Sequence, residues 1–286
     1  ELKKALCAST LNFSKRSKVT WILTLPLSKL YFKRSRETMN KWSSLEPNAK
    51  FLEVLEYSGN HDILSTQNEK RAWSEKFADG TAFMIAESFK NFASLTSSSI
   101  KNKEIRPDPN GGRTEPLTPL STSTKKRIDV TVVDSLLGLE IGVSLKSLNF
   151  PDGSNGNFDK NITGRLYELG DEMRLVHEHL PQSFMVGVIF LPLEATIDKP
   201  SVSSFANVVL KLKNRTGRLD PSLAVHNSRC DLSFVGLYTR APNRLALPPG
   251  LLRFYSTDEP PPKSGRPKVE KSFSAGSMVE KIIQTA

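Results

Sequence analysis

The sequence predicts an α/β fold, a mixed central sheet flanked by helices. Three observations carry this. Residues 127–134 and 139–146 are rich in β-branched side chains and alternate around a tight turn, Ser135-Leu-Leu-Gly138, as the strands of a hairpin do. Residues 161–180 set Ile162, Leu166, Leu169, Met173, Val176 and Leu180 on one side of a helix. Phe184 to Leu193 is a near-continuous apolar run, the pattern of a strand buried on both faces. Two strands, a helix and a buried strand pack most simply as a sheet with helices on both sides.

The other elements follow in order. Phe51, Leu52, Val54 and Leu55 mark a short helix within 46–66. Residues 68–95 predict a longer one, with Trp73, Phe77, Phe83, Met84, Ile85, Phe89 and Phe92 mostly three or four apart, and with Gly80 as a candidate break. Residues 96–126 are rich in Ser, Pro, Gly and Asn without apolar periodicity, which predicts a long loop insertion. A helix over 201–213 and a last strand over Leu232–Thr239 complete the sheet, and Glu259 to Lys268 reads as an extended, solvated Pro/Lys-rich tail. The expected organisation is a basic segment over 1–38, one domain over 39–256 and a tail over 257–286.

The 286 residues, 38% hydrophobic and 24% charged, can bury a substantial core. The formal charge is +10, but residues 1–38 hold +7 of it, so basicity says little about the rest of the chain. Met39 opens a different style of sequence. It is the expected native start, with residues 1–38 as translated upstream sequence; the rival reading is a basic arm that contacts phosphates. The apolar run Val19–Leu27 is short, contains Pro26 and makes a poor signal peptide. No stretch reaches the ~18 to 20 apolar residues of a membrane span, so no membrane association is expected. Two distant cysteines, Cys7 and Cys230, form neither a disulfide framework nor a zinc site, and a reducing, cytoplasmic setting is expected.

The chemistry concentrates in the hairpin. Asp129 lies near the start of its first strand and Lys146 at the end of its second. Antiparallel pairing brings those two ends together, so a carboxylate and an ammonium become neighbours. A carboxylate there can hold Mg²⁺, which takes oxygen ligands and keeps waters. A nearby ammonium can orient the attacking water and stabilise developing negative charge.

With these residues in this order, the chain resembles the PD-(D/E)xK nuclease superfamily over about residues 70–240. The resemblance implies a restriction-endonuclease-like fold and a Mg²⁺-dependent endodeoxyribonuclease that leaves 5′-phosphates. It further implies a restriction enzyme, part of restriction-modification, or a related defence nuclease acting on double-stranded DNA, with a homodimer expected because duplex sites are two-fold symmetric. Asp129 takes the first position of the motif and Lys146 the last. The acid position departs from the pattern: it holds Ser144, in Ser144-Leu145-Lys146. A subgroup of restriction enzymes carries Ser-x-Lys and supplies the acid from the following helix.

Here that helix offers Asp159 at its entrance and Glu168 and Glu172 within it. Glu168, beside Leu169 and near Arg165, is the favoured metal ligand. Glu87, on the helix over 68–95, is the second candidate, and Ser144 is expected to reach the metal through a water. Glu140 shares the strand face of Lys146 but lies roughly 20 Å away along it. Lys160, Asn161 and Arg165 follow a Gly/Asn-rich loop and are expected to contact DNA phosphates, against a competing reading in which Asn161 or Thr163 caps the helix. His177 and His179 point about 200° apart on a helix and do not share a metal. Ser123-Thr-Lys-Lys126 matches a Ser-x-x-Lys pattern without its supporting motifs and is set aside. No Gly-rich phosphate loop is present, so ATP use is not expected. Two other readings compete: a non-catalytic nucleic-acid-binding protein of the same fold, kept alive by Ser144, and a partner-binding α/β domain in which Lys146 merely pairs with Asp129.

Overall fold

A computed structural model describes residues 42–95, 100–107, 117–119, 125–153, 155–218 and 226–286. The chain divides into two units, Glu1–Glu37 and Thr38–Ala286, and every described residue belongs to the second. The expectations for residues 1–38 and for the Met39 start lie outside the described residues.

Helix α1 (Ala49–Ser58) begins at Asn48, whose side chain accepts the Phe51 N–H. Helix α2 (Gln67–Leu95) is continuous through Gly80. The reason is packing: a Cβ at Gly80 would come within 2.9 Å of Val54 Cγ1, so this glycine lets α1 approach rather than breaking α2.

Strand β1 (Glu104–Arg106) comes next, then β2 (Leu117–Pro119) and β3 (Lys125–Arg127), which pair with each other. The hairpin is β4 (Val130–Asp134) and β5 (Gly138–Ser147), followed by α3 (Ile162–His179) and β6 (Phe184–Pro192). Helix α4 (Ser204–Lys213), β7 (Leu232–Tyr238), β8 (Leu252–Ser256) and α5 (Ala275–Thr285) finish the chain.

The main sheet has six strands in the order β1-β4-β5-β6-β7-β8. Strands β5, β6 and β7 run parallel, and β4 and β8 flank them antiparallel. The predicted mixed sheet with helices is therefore observed. One core packs α2 and α5 against Val143, Leu145, Val186, Val188 and Phe190. The other packs α3 and α4 against Met185, Ile189, Leu191 and Val235. Alternate residues of β6 thus feed opposite cores, which is why its sequence is apolar throughout. No helix among the described residues is long and apolar enough to cross a membrane.

Three expectations need correction. The region 96–126 is not all loop: β1 pairs with β4 at the sheet edge, Ile105 opposite Val132, and β2 and β3 form a ribbon. The strand expected from Arg127 begins only at Val130, because Arg127 belongs to that ribbon. The stretch 257–286 is not a solvated tail. Its Pro-rich part is bonded to the body, with Ser203 N–H donating to Lys263 O at 2.8 Å and Trp42 Nε1 donating to Pro267 O at 3.0 Å. Helix α5 then buries Met278, Val279 and Ile282 completely. Each such side chain is worth roughly 1.5–3 kcal/mol of apolar burial.

Candidate functional site

The hairpin register sets Val130 opposite Val143, so the segment entering β4 lies beside the end of β5. Asp129 sits at that entry, and its Oδ2 accepts the Leu145 N–H at 2.6 Å. Along β5, Val143 and Leu145 face the α2 side, while Ser144 and Lys146 share the opposite face under α3. The motif residues therefore point away from one core and towards a helix.

That helix supplies Glu172. The buried Ser144 hydroxyl donates to Glu172 Oε2. Lys146 Nζ donates to both carboxylate oxygens, at 2.9 Å and 3.0 Å. Lys126 of β3 adds a second ammonium, 3.4 Å from Glu172 Oε1. The side chains of Lys146 and Glu172 are 13% and 18% exposed, so this cluster is largely withdrawn from water.

Glu168, the favoured acid, is elsewhere. It is half-exposed and bonded to Arg165 at 2.8 Å on the outer surface of α3. At 100° per residue, Glu172 lies about 40° nearer the buried stripe of Leu166, Leu169 and Met173 than Glu168 does, and that signal was present in the sequence. Arg165 holds Glu168 outward.

Glu87 is not brought to the cluster either. It is partly exposed and lies 3.4 Å from Lys50 at the α1–α2 groove. The acid of α2 that faces the cleft beside Lys146 is Glu75, bonded to Arg71 at 2.9 Å. Asp159 is engaged by Lys199, at 2.6 Å to each oxygen, and by Asn207. Burial alone would raise its pKa; these bonds outweigh burial and hold it below the usual range. Glu140 pairs with Lys103, away from Lys146.

Lys146 opens onto a cleft of about 880 Å³ between α2 and the start of α3. Lys160, Asn161 and Arg165 line it, as do Lys70 and Arg71, which sequence reasoning did not select. Its five cationic side chains face two acids, Glu75 and Asp152, so an anionic ligand is favoured there. Lys160 is bonded to Asp152 at 2.6 Å. Asn161 precedes α3 and makes no side-chain cap.

The histidines stand apart. His177 is fully buried, donating from Nδ1 to Asn227 O at 2.8 Å, with Nε2 3.3 Å from Asp231. Asp231 also accepts from Arg218 Nε at 2.9 Å and from Met185 N–H at 2.7 Å, at the opening end of β6. His179 is exposed and bonds only Leu175 O at 2.9 Å within its own helix.

Among the described residues, no group of three or more His, Cys, Asp or Glu gathers as a metal-ligand cluster. The site instead offers two carboxylates tied to consecutive residues of β5, Glu172 to the Ser144 side chain and Asp129 to the Leu145 backbone. Magnesium commonly binds one or two carboxylates and keeps waters in its remaining positions, so an oxygen-only pair fits it. A closed zinc site would need nitrogen or sulfur donors. No family model, curated protein or solved structure matches this chain.

Proposed function

We propose that this chain is a Mg²⁺-dependent DNA endonuclease of restriction-endonuclease-like fold, a restriction or defence enzyme, with Glu172 in place of the acid that Ser144 displaces. One observation carries the reading: Ser144 and Lys146 converge on Glu172 while Asp129 is fastened to the residue between them. The cost of withdrawing these charges adds weight. A largely buried ion pair is seldom more stabilising than apolar residues of the same volume, so it argues for work beyond folding.

Magnesium, when bound, supplies a Lewis acid for a phosphate oxygen and lowers the pKa of a bound water. The chain's own residues do the rest. Asp129 and Glu172 present hard oxygen ligands. Ser144 fixes the rotamer of Glu172 rather than reaching the ion through a water. Lys146 stands beside the acid, ready to orient the attacking water and to meet negative charge developing on phosphorus. Lys70, Arg71, Lys160, Asn161 and Arg165 steer a duplex backbone into the cleft. A homodimer would match a two-fold symmetric site.

A second reading has its own support. Glu172 already receives three donors, which favours a non-catalytic nucleic-acid-binding protein built on the same cleft. Plasmid cleavage in Mg²⁺ separates the two. The endonuclease gives discrete fragments that vanish with EDTA and in Asp129→Ala and Lys146→Ala. A binding protein shifts the DNA in a gel, leaves it intact with every divalent ion tried, and overturns the proposal.

A further inference from the structure

The β2–β3 ribbon delivers a residue that the nuclease reading does not require. Lys126, in β3, reaches the same carboxylate as Lys146 from a different part of the chain. Glu172 is already bonded through both oxygens to Lys146 and through one to Ser144, so Lys126, at 3.4 Å, is not needed to satisfy it. Lys126 is also the more accessible ammonium, 29% exposed against 13% for Lys146. A lysine is a point charge on a flexible stem, able to leave one anion for another nearby.

Charge makes the consequence specific. The carboxylates of Asp129 and Glu172 repel a phosphodiester when no metal is bound, and each ammonium beside them lowers that repulsion.

We propose that Lys126 is a second phosphate-binding ammonium of the site, which holds the backbone of a DNA duplex beside Asp129 and Glu172 before metal arrives. This rests on the endonuclease reading and assigns that site a contact outside its Asp…Ser-x-Lys motif.

The test is duplex binding by fluorescence anisotropy in EDTA, over salt from about 50 to 200 mM, a range in which phosphate contacts are read from the slope. Lys126→Met, which keeps the stem and removes the charge, should bind roughly tenfold more weakly and lower the salt slope by about 0.9. Lys126→Arg should restore both. Thermal melts establish that each variant is folded, and if Lys126→Met is not, Lys126→Gln takes its place. Wild-type affinity and slope in a folded neutral variant, alongside Asp129-dependent cleavage by the wild type, would overturn this proposal alone and reduce Lys126 to a counter-ion of Glu172. A wild-type protein that neither binds nor cleaves DNA would overturn the endonuclease reading and this inference together.

Discussion

Ser144 donates its hydroxyl hydrogen to the Glu172 carboxylate across the interface between β5 and α3, joining residues 28 apart in sequence. An acid at position 144 would have offered its own oxygens from the strand. The serine instead pairs with an acid that arrives from a helix, so strand and helix must both be in place before the pair can form.

Exchange of the two α3 acids for amides tests this directly. Glu172→Gln should reduce DNA cleavage at least 100-fold, since it removes a charged ligand and leaves Lys146 and Lys126 facing a neutral group. Glu168→Gln should stay within about twofold, because Glu168 is half-exposed and bonded to Arg165. Rates on one plasmid substrate decide it, and the reverse ranking would return the acid role to Glu168.

The Asp231 network predicts a stability effect far from the cleft. Burial would raise this carboxyl's pKa, but His177 beside it, the bond from Met185 N–H and the Arg218 charge outweigh burial and hold the pKa below the usual value. Its stabilising contribution is therefore present above about pH 4 and is lost as pH falls through the depressed folded value. Asp231→Asn leaves the nearly buried Arg218 without its counter-charge and should cost about 3 kcal/mol in urea unfolding at pH 7. An unchanged urea midpoint would refute the assignment.

His61 predicts a different pH profile. Arg240 Nη1 donates to its Nδ1 at 2.6 Å, so the proton sits on Nε2, which donates to Asn149 O at 3.2 Å. Burial first, then the Arg240 charge, push its pKa down to about 4, against the opposing pull of the Asn149 carbonyl bond and of Asp62. Unfolded histidine titrates near ~6.5, so between these values only the unfolded chain gains the proton. Stability should decline as pH falls from about 6.5 towards 4, by on the order of 1 to 2 kcal/mol at pH 5. His61→Gln should flatten that decline, as read from urea midpoints at several pH values.

Helix α5 should behave as core. Ile282→Ala removes a fully buried side chain packed with those of α2 and should cost about 2 to 4 kcal/mol. A solvated C-terminal stretch would lose almost nothing in the same melt.

The sequence was legible where one pattern dominates locally. The β4–β5 hairpin, α3 and β6 all stand within a few residues of their expected bounds. The fit of Asp129 beside the end of β5 followed from hairpin geometry alone. Other features were hidden for identifiable reasons. Strands β1, β2 and β3 are three residues each, too short to display a period. Helix α5 has apolar Met278, Val279 and Ile282 at helical spacing, but the preceding Pro/Lys-rich run set the character of the whole stretch. The choice between Glu168 and Glu172 turned on about 40° of helix rotation, a difference that only careful placement of the buried stripe would register. Lys126 depends on the ribbon's tertiary position and has no local signature.

Strand β5 carries two interleaved rows, Val143 and Leu145 for one core and Ser144 and Lys146 for Glu172. A single-residue insertion or deletion within it would exchange those rows, driving an ammonium into the α2 side and a leucine under α3. A change of length here would therefore disturb the core and the contacts to Glu172 in one step. Within β5, replacement at 144 or 146 alters those contacts while leaving the Val143 and Leu145 row in its core.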